Sequence, residues 1–399
     1  MFLLFYVLRF SFGFQKLRKF EHIGRWNSIL RSFNFLTVNT LLFQRLVELV
    51  GPIIAKKETN MRKCITAEER LAVTLRFLAT GNTYSDLAFQ FRIHHSTISG
   101  IIPEVCRAIY QCLKSEYLRV PNTKEEWEEI AEKTVERWQF PNCFGAADGK
   151  HIPLLHPKNS GSDYYNYKGF FSIVLLAIVD YDYKFLFVDV GCQGRISDGG
   201  VYRNSAFYKA LEDESLNLPD PKPLPKSKDP RWMFNQTDEP IPYVFVADDA
   251  FPLGKHCMKP FPQSNLSDRK RIFNYRLSRM RRISENVFGI WGNTFRVFTT
   301  TMALEPKKAV DITLATIALH NMLRMESREK YTTDGYLDTE NNVGDIINGN
   351  WRTDAVDFTV SLPKNKSNRA SLSAEHTRNL LADHFYGPGE IPWQWNVLV

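Results

Sequence analysis

With 399 residues and 44% apolar content, the chain is long enough for two or three domains with sizeable cores and too apolar to be disordered throughout. Its 51 Lys and Arg against 44 Asp and Glu leave a net charge of +7, a modest excess that suits a nucleic-acid partner without requiring one. Six cysteines without a CxxC pair exclude a disulfide-dense secreted scaffold and argue against a zinc site, His256-Cys257 included, so the pattern fits a reducing compartment.

The apolar run Met1-Phe-Leu-Leu-Phe-Tyr-Val-Leu8 is broken by Arg9 and followed by Lys16, Arg18 and Lys19. It is too short to span a bilayer and has neither the preceding charges nor the small-residue cleavage site of a signal peptide, which leaves core packing or a mis-set start. Residues 1–60 are expected to form an N-terminal helical segment. From Thr66 to Lys114 the pattern is helical, with Thr66-Ala-Glu-Glu69 at capping-box spacing and Gly81-Asn82 as the break. Thr83 to Arg92 then makes a short second helix and His95 to Ile102 a third. The spacing predicts a helix-turn-helix-like all-α domain over 61–140, in which His94, His95, Ser96, Thr97 and Ser99 face DNA while Ile98, Ile101 and Ile102 pack inward. A plain helical bundle fits the same pattern, because the third helix carries few Lys or Arg. The acidic segment Asn122 to Glu132 reads as a connecting helix with a solvated face.

After Pro141 the period changes to that of strands: Phe144 to Asp148, then a hairpin of buried strands, Ser172 to Asp180 and Phe185 to Gly191. Ser197-Asp-Gly-Gly200 opens a helix carrying Val201, Phe207, Tyr208 and Leu211. The proline-rich stretch Leu218 to Pro242 reads as loop, an insertion over about 213–241. Tyr243-Val-Phe-Val-Ala247 is the next strand, and a long helix follows whose apolar stripe is Leu277, Met280, Ser284, Val287, Phe288 and Trp291. The tail, 326–399, is polar and irregular with one helix expected from Ala374 to Phe385.

Three acids stand out on these elements: Asp148 and Asp248 where apolar strands stop, and Glu285 on the shoulder of the helical stripe. Carboxylates on rigid elements are the hard oxygen ligands that Mg²⁺ accepts. Two such ions about 4 Å apart can activate a nucleophile and stabilise the leaving oxygen of a phosphodiester. Taken singly, each acid has a plainer reading. Asp148 before Gly149 suits a turn, and Glu285 suits a surface pair with Arg281 or Arg282. Alternation puts Val244, Val246 and Asp248 on one face, which favours Asp248 over Asp249. Asp249 and Asp198 remain candidates to touch a metal or support its ligands, and Asp198 suits a helix cap equally. Lys150, on the face of Asp148 if the strand continues, Lys168 beside Asn166 and Tyr167, and Arg195 are candidate phosphate contacts. Arg276, Arg279, Arg281 and Arg282 give the Glu285 helix a positive face suited to phosphates or simply to water.

The ordered set Gly145-Ala-Ala-Asp-Gly-Lys-His151, Asn166-Tyr-Lys-Gly169, Gly194-Arg-Ile-Ser-Asp-Gly-Gly200, Asp248-Asp-Ala-Phe-Pro-Leu253, Asn274-Tyr-Arg-Leu-Ser-Arg279, Glu285-Asn-Val-Phe-Gly289 and Leu319-His-Asn-Met-Leu323 resembles the Harbinger/PIF-type DDE transposases and their domesticated ALP1-like nuclease relatives. The resemblance runs from about Thr59 to Leu323. It implies an α/β ribonuclease H-like core over 141–325, a mixed sheet flanked by helices. Asp148, Asp248 and Glu285 fall on the family's catalytic, metal-binding triad, although most members carry a small residue where Asp249 stands. The resemblance further implies Mg²⁺ or Mn²⁺ as cofactor and a metal-dependent endonuclease or strand transferase acting on DNA. A Myb-like protein would share in DNA recognition, a homo-oligomer is compatible, and the location would be nuclear with the cytoplasm as second compartment. The other reading is a domesticated, catalytically silent DNA-binding or chromatin protein.

Overall fold

The computed structural model describes residues 40–58, 64–196, 198–232, 236–341, 343–353, 360–361 and 371–398. The expectations for the apolar run at Met1–Leu8 lie outside these residues. The chain divides into two compact units, residues 1–112 with 294–297, and residues 113–293 with 298–399. Among the described residues no helix is long and apolar enough to cross a membrane, and none of the six cysteines is joined in a disulfide.

The described residues of the first unit form helices for reasons local to their sequence. Helix α1 spans Thr40–Ile54 and α2 spans Ala67–Thr80. Thr66 and Glu69 close a reciprocal capping box at the start of α2, and Gly81 ends it in the left-handed conformation, φ 67°. Thr83 and Asp86 form a second box for α3, Tyr84–Phe91. Helix α4 runs from His95 to Tyr117 instead of stopping at Ile102. Buried Ile98, Ile101, Ile102, Val105, Ile109 and Leu113 continue its apolar spacing past Pro103, and that burial outweighs the one backbone bond proline removes. The pair Arg70–Glu104, 2.5 Å, links α2 to α4 within the unit.

The second unit is mixed α/β, a mixed sheet flanked by helices. Helix α5, Lys124–Trp138, is capped by Thr123 and released at Gln139. Strands β1 (Cys143–Leu154), β2 (Phe171–Val179), β3 (Phe185–Gln193), β4 (Val244–Val246) and β5 (Cys257–Met258) lie in the order β3-β2-β1-β4-β5. The first three strands pair antiparallel, while β1–β4 and β4–β5 are parallel. Strand β1 does not end at Asp148. Pairing with β2 continues in register from Ala146↔Val179 to Leu154↔Phe171, which keeps the chain extended past Gly149. Its other edge changes partner, meeting β4 over 143–146 and β6 (Val360–Ser361) at Lys150 and His151.

Helices α6 (Asp198–Asn204) and α7 (Ala206–Glu212) replace the single helix expected there, because Ser205 stops one and caps the other through Tyr208 N. Among its described residues the proline-rich insertion is loop except for a short antiparallel pair, Lys222–Pro223 with Pro240–Ile241. Asn142 anchors both strands of this pair at one rung by donating to Lys222 O and Ile241 O at 2.7 and 3.2 Å. Helix α8 spans Asp268–Thr294, α9 spans Pro306–Glu326 and α10 spans Leu372–Tyr386. Trp127, Phe144, Tyr202, Phe207 and Phe245 fill one layer of the core, each worth roughly 1.5–3 kcal/mol or more when fully buried. The Leu319–Leu323 motif serves this fold: His320 bonds Tyr183 O at 2.8 Å, and Asn321 pairs with both N and O of Phe185, fastening α9 to β3. Burial pushes the His320 imidazole down to about 4, so it is neutral at pH 7.

Candidate metal centre

Backbone register brings the two aspartates together. Ala146 of β1 lies opposite Val246 of the parallel neighbour β4, so two residues further on Asp148 and Asp248 stand at the same level. Asp148 is 5% exposed and sits mid-strand, which removes the turn reading. Its Oδ1 accepts from Gly149 N at 2.8 Å. Strand β4 gives way at Asp248 to a tight turn in which Asp248 Oδ1 accepts from Ala250 N at 3.0 Å. Burial first, and then the charge of Asp148, raises the Asp248 carboxyl above its ordinary range, while Arg281 pulls the other way. Asp249 is exposed, and its carbonyl accepts from Lys259 Nζ at 3.4 Å.

Helix α8 passes this pair with one face. Arg281, Glu285 and Phe288 follow at i, i+4 and i+7, a shared helical face. Arg281 acts electrostatically on Asp248, and Lys150 Nζ lies 5.4 Å from the Phe288 ring and 3.4 Å from Asp148 Oδ2. Glu285, between them, is thus on the side of α8 that faces the aspartates. Its carboxylate is 42% exposed and engages Arg352 Nη2 at 3.4 Å. Among the described residues no three His, Cys, Asp or Glu side chains lie close enough to hold one ion. The donor set suits a hard cation all the same, because buried Asp148 and half-buried Asp248 repel one another and gain from a positive charge between them.

The arginines of α8 divide into two groups. Arg279 is buried and paired with Glu340, and it donates to Trp138 O at 2.8 Å and Gln139 Oε1 at 2.7 Å. Arg276 is buried as well, donating to Gly389 O and Gln394 Oε1 at 3.0 Å and stacking 4.3 Å from the Phe385 ring. The expectation that Arg276 and Arg279 meet phosphates is therefore corrected: the C-terminal chain and the end of α5 bury that face and take most of their donors. Arg282 is 7% exposed and likewise offers no open surface, whereas Arg281 is only half-buried.

The remaining candidates are scattered around the sheet edge. Lys168 is exposed beside Tyr167, 5.8 Å from its ring, and Arg195 pairs with Asp163 at 3.0 Å. Asn166 is buried and shapes their loop, accepting from Lys168 N and Phe170 N and donating to Ser172 Oγ. His151 bonds Ser172 Oγ at 2.9 Å, and burial holds its imidazole down at about 4. Asp198 begins α6, and its side chain lies outside the described residues. In the first unit His94, His95, Ser96 and Thr97 are exposed, Ser99 is half-buried, and Ile98, Ile101 and Ile102 are buried. The rings of His94 and His95 lie 4.2 Å apart, tilted by 38°.

One part of the site carried no sequence signal, Asp338, Trp351 and Arg352, which lie against α8 around Glu285. Trp351 Nε1 donates to Asn286 Oδ1 at 2.7 Å, and a Cβ at Gly289 would meet the Trp351 ring at 2.1 Å. Gly289→Ala is expected to lower stability by about 1–3 kcal/mol through overpacking, despite alanine's roughly 1 kcal/mol advantage inside a helix. Thermal denaturation checks this, and a neutral or stabilising result would show that the indole does not rest on that turn.

With this geometry in place, residues 147–321 match the family described as DDE superfamily endonuclease. Residues 147–321 are thus similar to a DDE superfamily endonuclease domain. Asp148, Asp248 and Glu285 fall inside its matched span, while Arg352 falls beyond it. The chain is 26% identical over 263 residues to protein Antagonist of Like Heterochromatin Protein 1 of Arabidopsis thaliana, covering 65% of this chain and 63% of that protein. It is 25% identical over 264 residues to protein ALP1-like of the same plant, covering 65% and 61%. The chain thus matches less than two thirds of the length of these relatives. No solved structure matches it.

Proposed function

We propose that the chain is a transposase-derived, divalent-metal-dependent DNA endonuclease of ribonuclease H-like fold, with Asp148, Asp248 and Glu285 as its Mg²⁺ or Mn²⁺ ligands. The observation that carries this reading is the adjacency of buried Asp148 on β1 and half-buried Asp248 just past the end of β4, beneath the helix face that bears Glu285. When bound, the metal supplies Lewis-acid stabilisation of the reacting phosphate and its leaving oxygen. The chain's own residues do the rest. Asp148 and Asp248 fix the cation's position on rigid strands, Lys150 and half-buried Arg281 lie beside them to receive phosphate oxygens, and Lys168 and Arg195 border the approach. The start of α4, with exposed His95, Ser96 and Thr97 and half-buried Ser99, is the surface of a helix-turn-helix-like domain offered to DNA, and its low positive charge leaves room for a Myb-like partner or self-association. A nuclear location follows from a DNA substrate.

A catalytically silent, chromatin-associated protein is the second reading. It is favoured by the engagement of Glu285 with Arg352 and by a relative whose name describes antagonism of like heterochromatin protein 1. Nicking of supercoiled plasmid by the purified chain with Mg²⁺, Mn²⁺ or EDTA, beside Glu285→Gln, decides between them. Metal-dependent nicking is expected to fall on the order of 10²–10³-fold in the variant, the scale of losing one group that stabilises transition-state charge. No nicking by the folded protein under any of these conditions would sink the endonuclease reading in favour of the silent one.

A further inference from the structure

The segment that follows the family-matched residues does more than cover α8. Asn286 Oδ1 accepts from both Trp351 Nε1 and Asp338 N, at 2.7 and 3.0 Å, and Asn293 Nδ2 donates to Trp351 O at 2.7 Å. These bonds and the seat at Gly289 hold the segment on the helix by themselves. Arg352 comes next in the chain. Buried Asp338 grips its guanidinium through Nε at 2.9 Å and Nη2 at 2.6 Å, with the Asp338 carboxylate also receiving Gly349 N at 2.8 Å. The same Nη2 reaches Glu285 Oε2 at 3.4 Å. Short bonds to a buried partner and one long contact to a half-exposed partner make Asp338 the fixed anchor and Glu285 the exchangeable guest.

We propose that Arg352 is a built-in competitor for the third metal ligand: anchored on Asp338, it occupies the Glu285 carboxylate in the metal-free protein and gives it up when a divalent cation settles on Asp148 and Asp248. The inference rests on the metal-dependent reading above. It makes Arg352 a positioning residue, acting through Glu285 and setting how much free cation is needed to assemble the three-carboxylate site. A contact this exposed shifts an equilibrium by about two- to fivefold, enough to tune metal affinity and too little to abolish it.

Calorimetric titration of the full chain with Mn²⁺ tests this, using the wild type, Arg352→Gln, Asp338→Asn/Arg352→Gln and Asp148→Asn. The double variant removes both charges together, so it spares the fold an unpaired buried carboxylate and prevents Asp338 from drawing Mn²⁺ itself. Both Arg352 variants are expected to bind Mn²⁺ about two- to fivefold more tightly, and adding Glu285→Gln is expected to erase the gain. Unchanged or weaker Mn²⁺ binding in the double variant, with binding still dependent on Asp148, would overturn the competitor role alone, weaker binding indicating that Arg352 orients Glu285 for the metal instead. If wild-type binding is absent or insensitive to Asp148→Asn, the metal-dependent reading falls, and the competitor role with it.

Discussion

Asp248→Asn is expected to raise the stability of the metal-free protein at neutral pH and to abolish metal-dependent nicking. The carboxyl of Asp248 is pushed above the ordinary 3.8 by burial and by Asp148, with Arg281 offsetting part of the effect. A carboxyl whose folded pKa exceeds its unfolded value keeps its proton in the native state while the unfolded chain has lost it. Stability therefore falls as pH rises from about the unfolded value through the folded one, and the full penalty is present above both. Asparagine removes that penalty, so the gain in the variant should be small near pH 4 and complete at pH 7. In a unit of this size each kcal/mol of relief is worth about 2–4 °C in Tm.

Metal should reverse the ranking. A cation at 100 times its Kd stabilises the wild type by about 2.7 kcal/mol through binding to the native state alone, and the variant, with one ligand lost, should show little of this. Thermal scans with and without Mn²⁺ at two pH values, run beside plasmid nicking, read both effects. A variant no more stable than wild type without metal, yet still stabilised by Mn²⁺, would mean that Asp248 faces neither Asp148 nor a cation.

Arg279→Ala is expected to cost about 3–5 kcal/mol of stability and to leave the DNA affinity of the folded protein unchanged. Arg279 and Glu340 are both nearly closed to solvent, at 7% and 10% side-chain exposure. Removing the arginine strands a buried carboxylate that also accepts from Tyr275 Oη at 2.7 Å, and a broken buried pair costs far more than the pair itself contributes. It also removes the donors to Trp138 O and Gln139 Oε1 at the end of α5. Urea denaturation measures the loss, and Arg279→Met/Glu340→Gln should recover part of it because no charge is left unpaired. If Arg279→Ala kept full stability but bound DNA more weakly, with a smaller salt slope, the side chain would have to lie at the surface after all.

What could be read from the chain alone were features whose partners lie within a few residues. The capping boxes at Thr66 and Thr83 close over three residues, the β2–β3 hairpin turns over Asp180–Lys184, and the buried stripe of α8 repeats every three or four positions. Asp148, Asp248 and Glu285 were visible as acids on such elements. Their arrangement was not. Asp148 was expected at a strand end, yet lies mid-strand because β2, about thirty residues on, extends the ladder past it. The arginines of α8 read equally as a phosphate grip or a solvated face. The choice rested on Glu340, 61 residues from Arg279, and on Gly389, 113 residues from Arg276. Arg352 meets Glu285 across 67 residues with no periodicity to announce it. Local hydrogen bonds and apolar spacing are written in short windows of sequence, whereas burial of a charge and the choice of its partner depend on which distant segment packs there. Tertiary structure alone decided which of these charges face the aspartate pair.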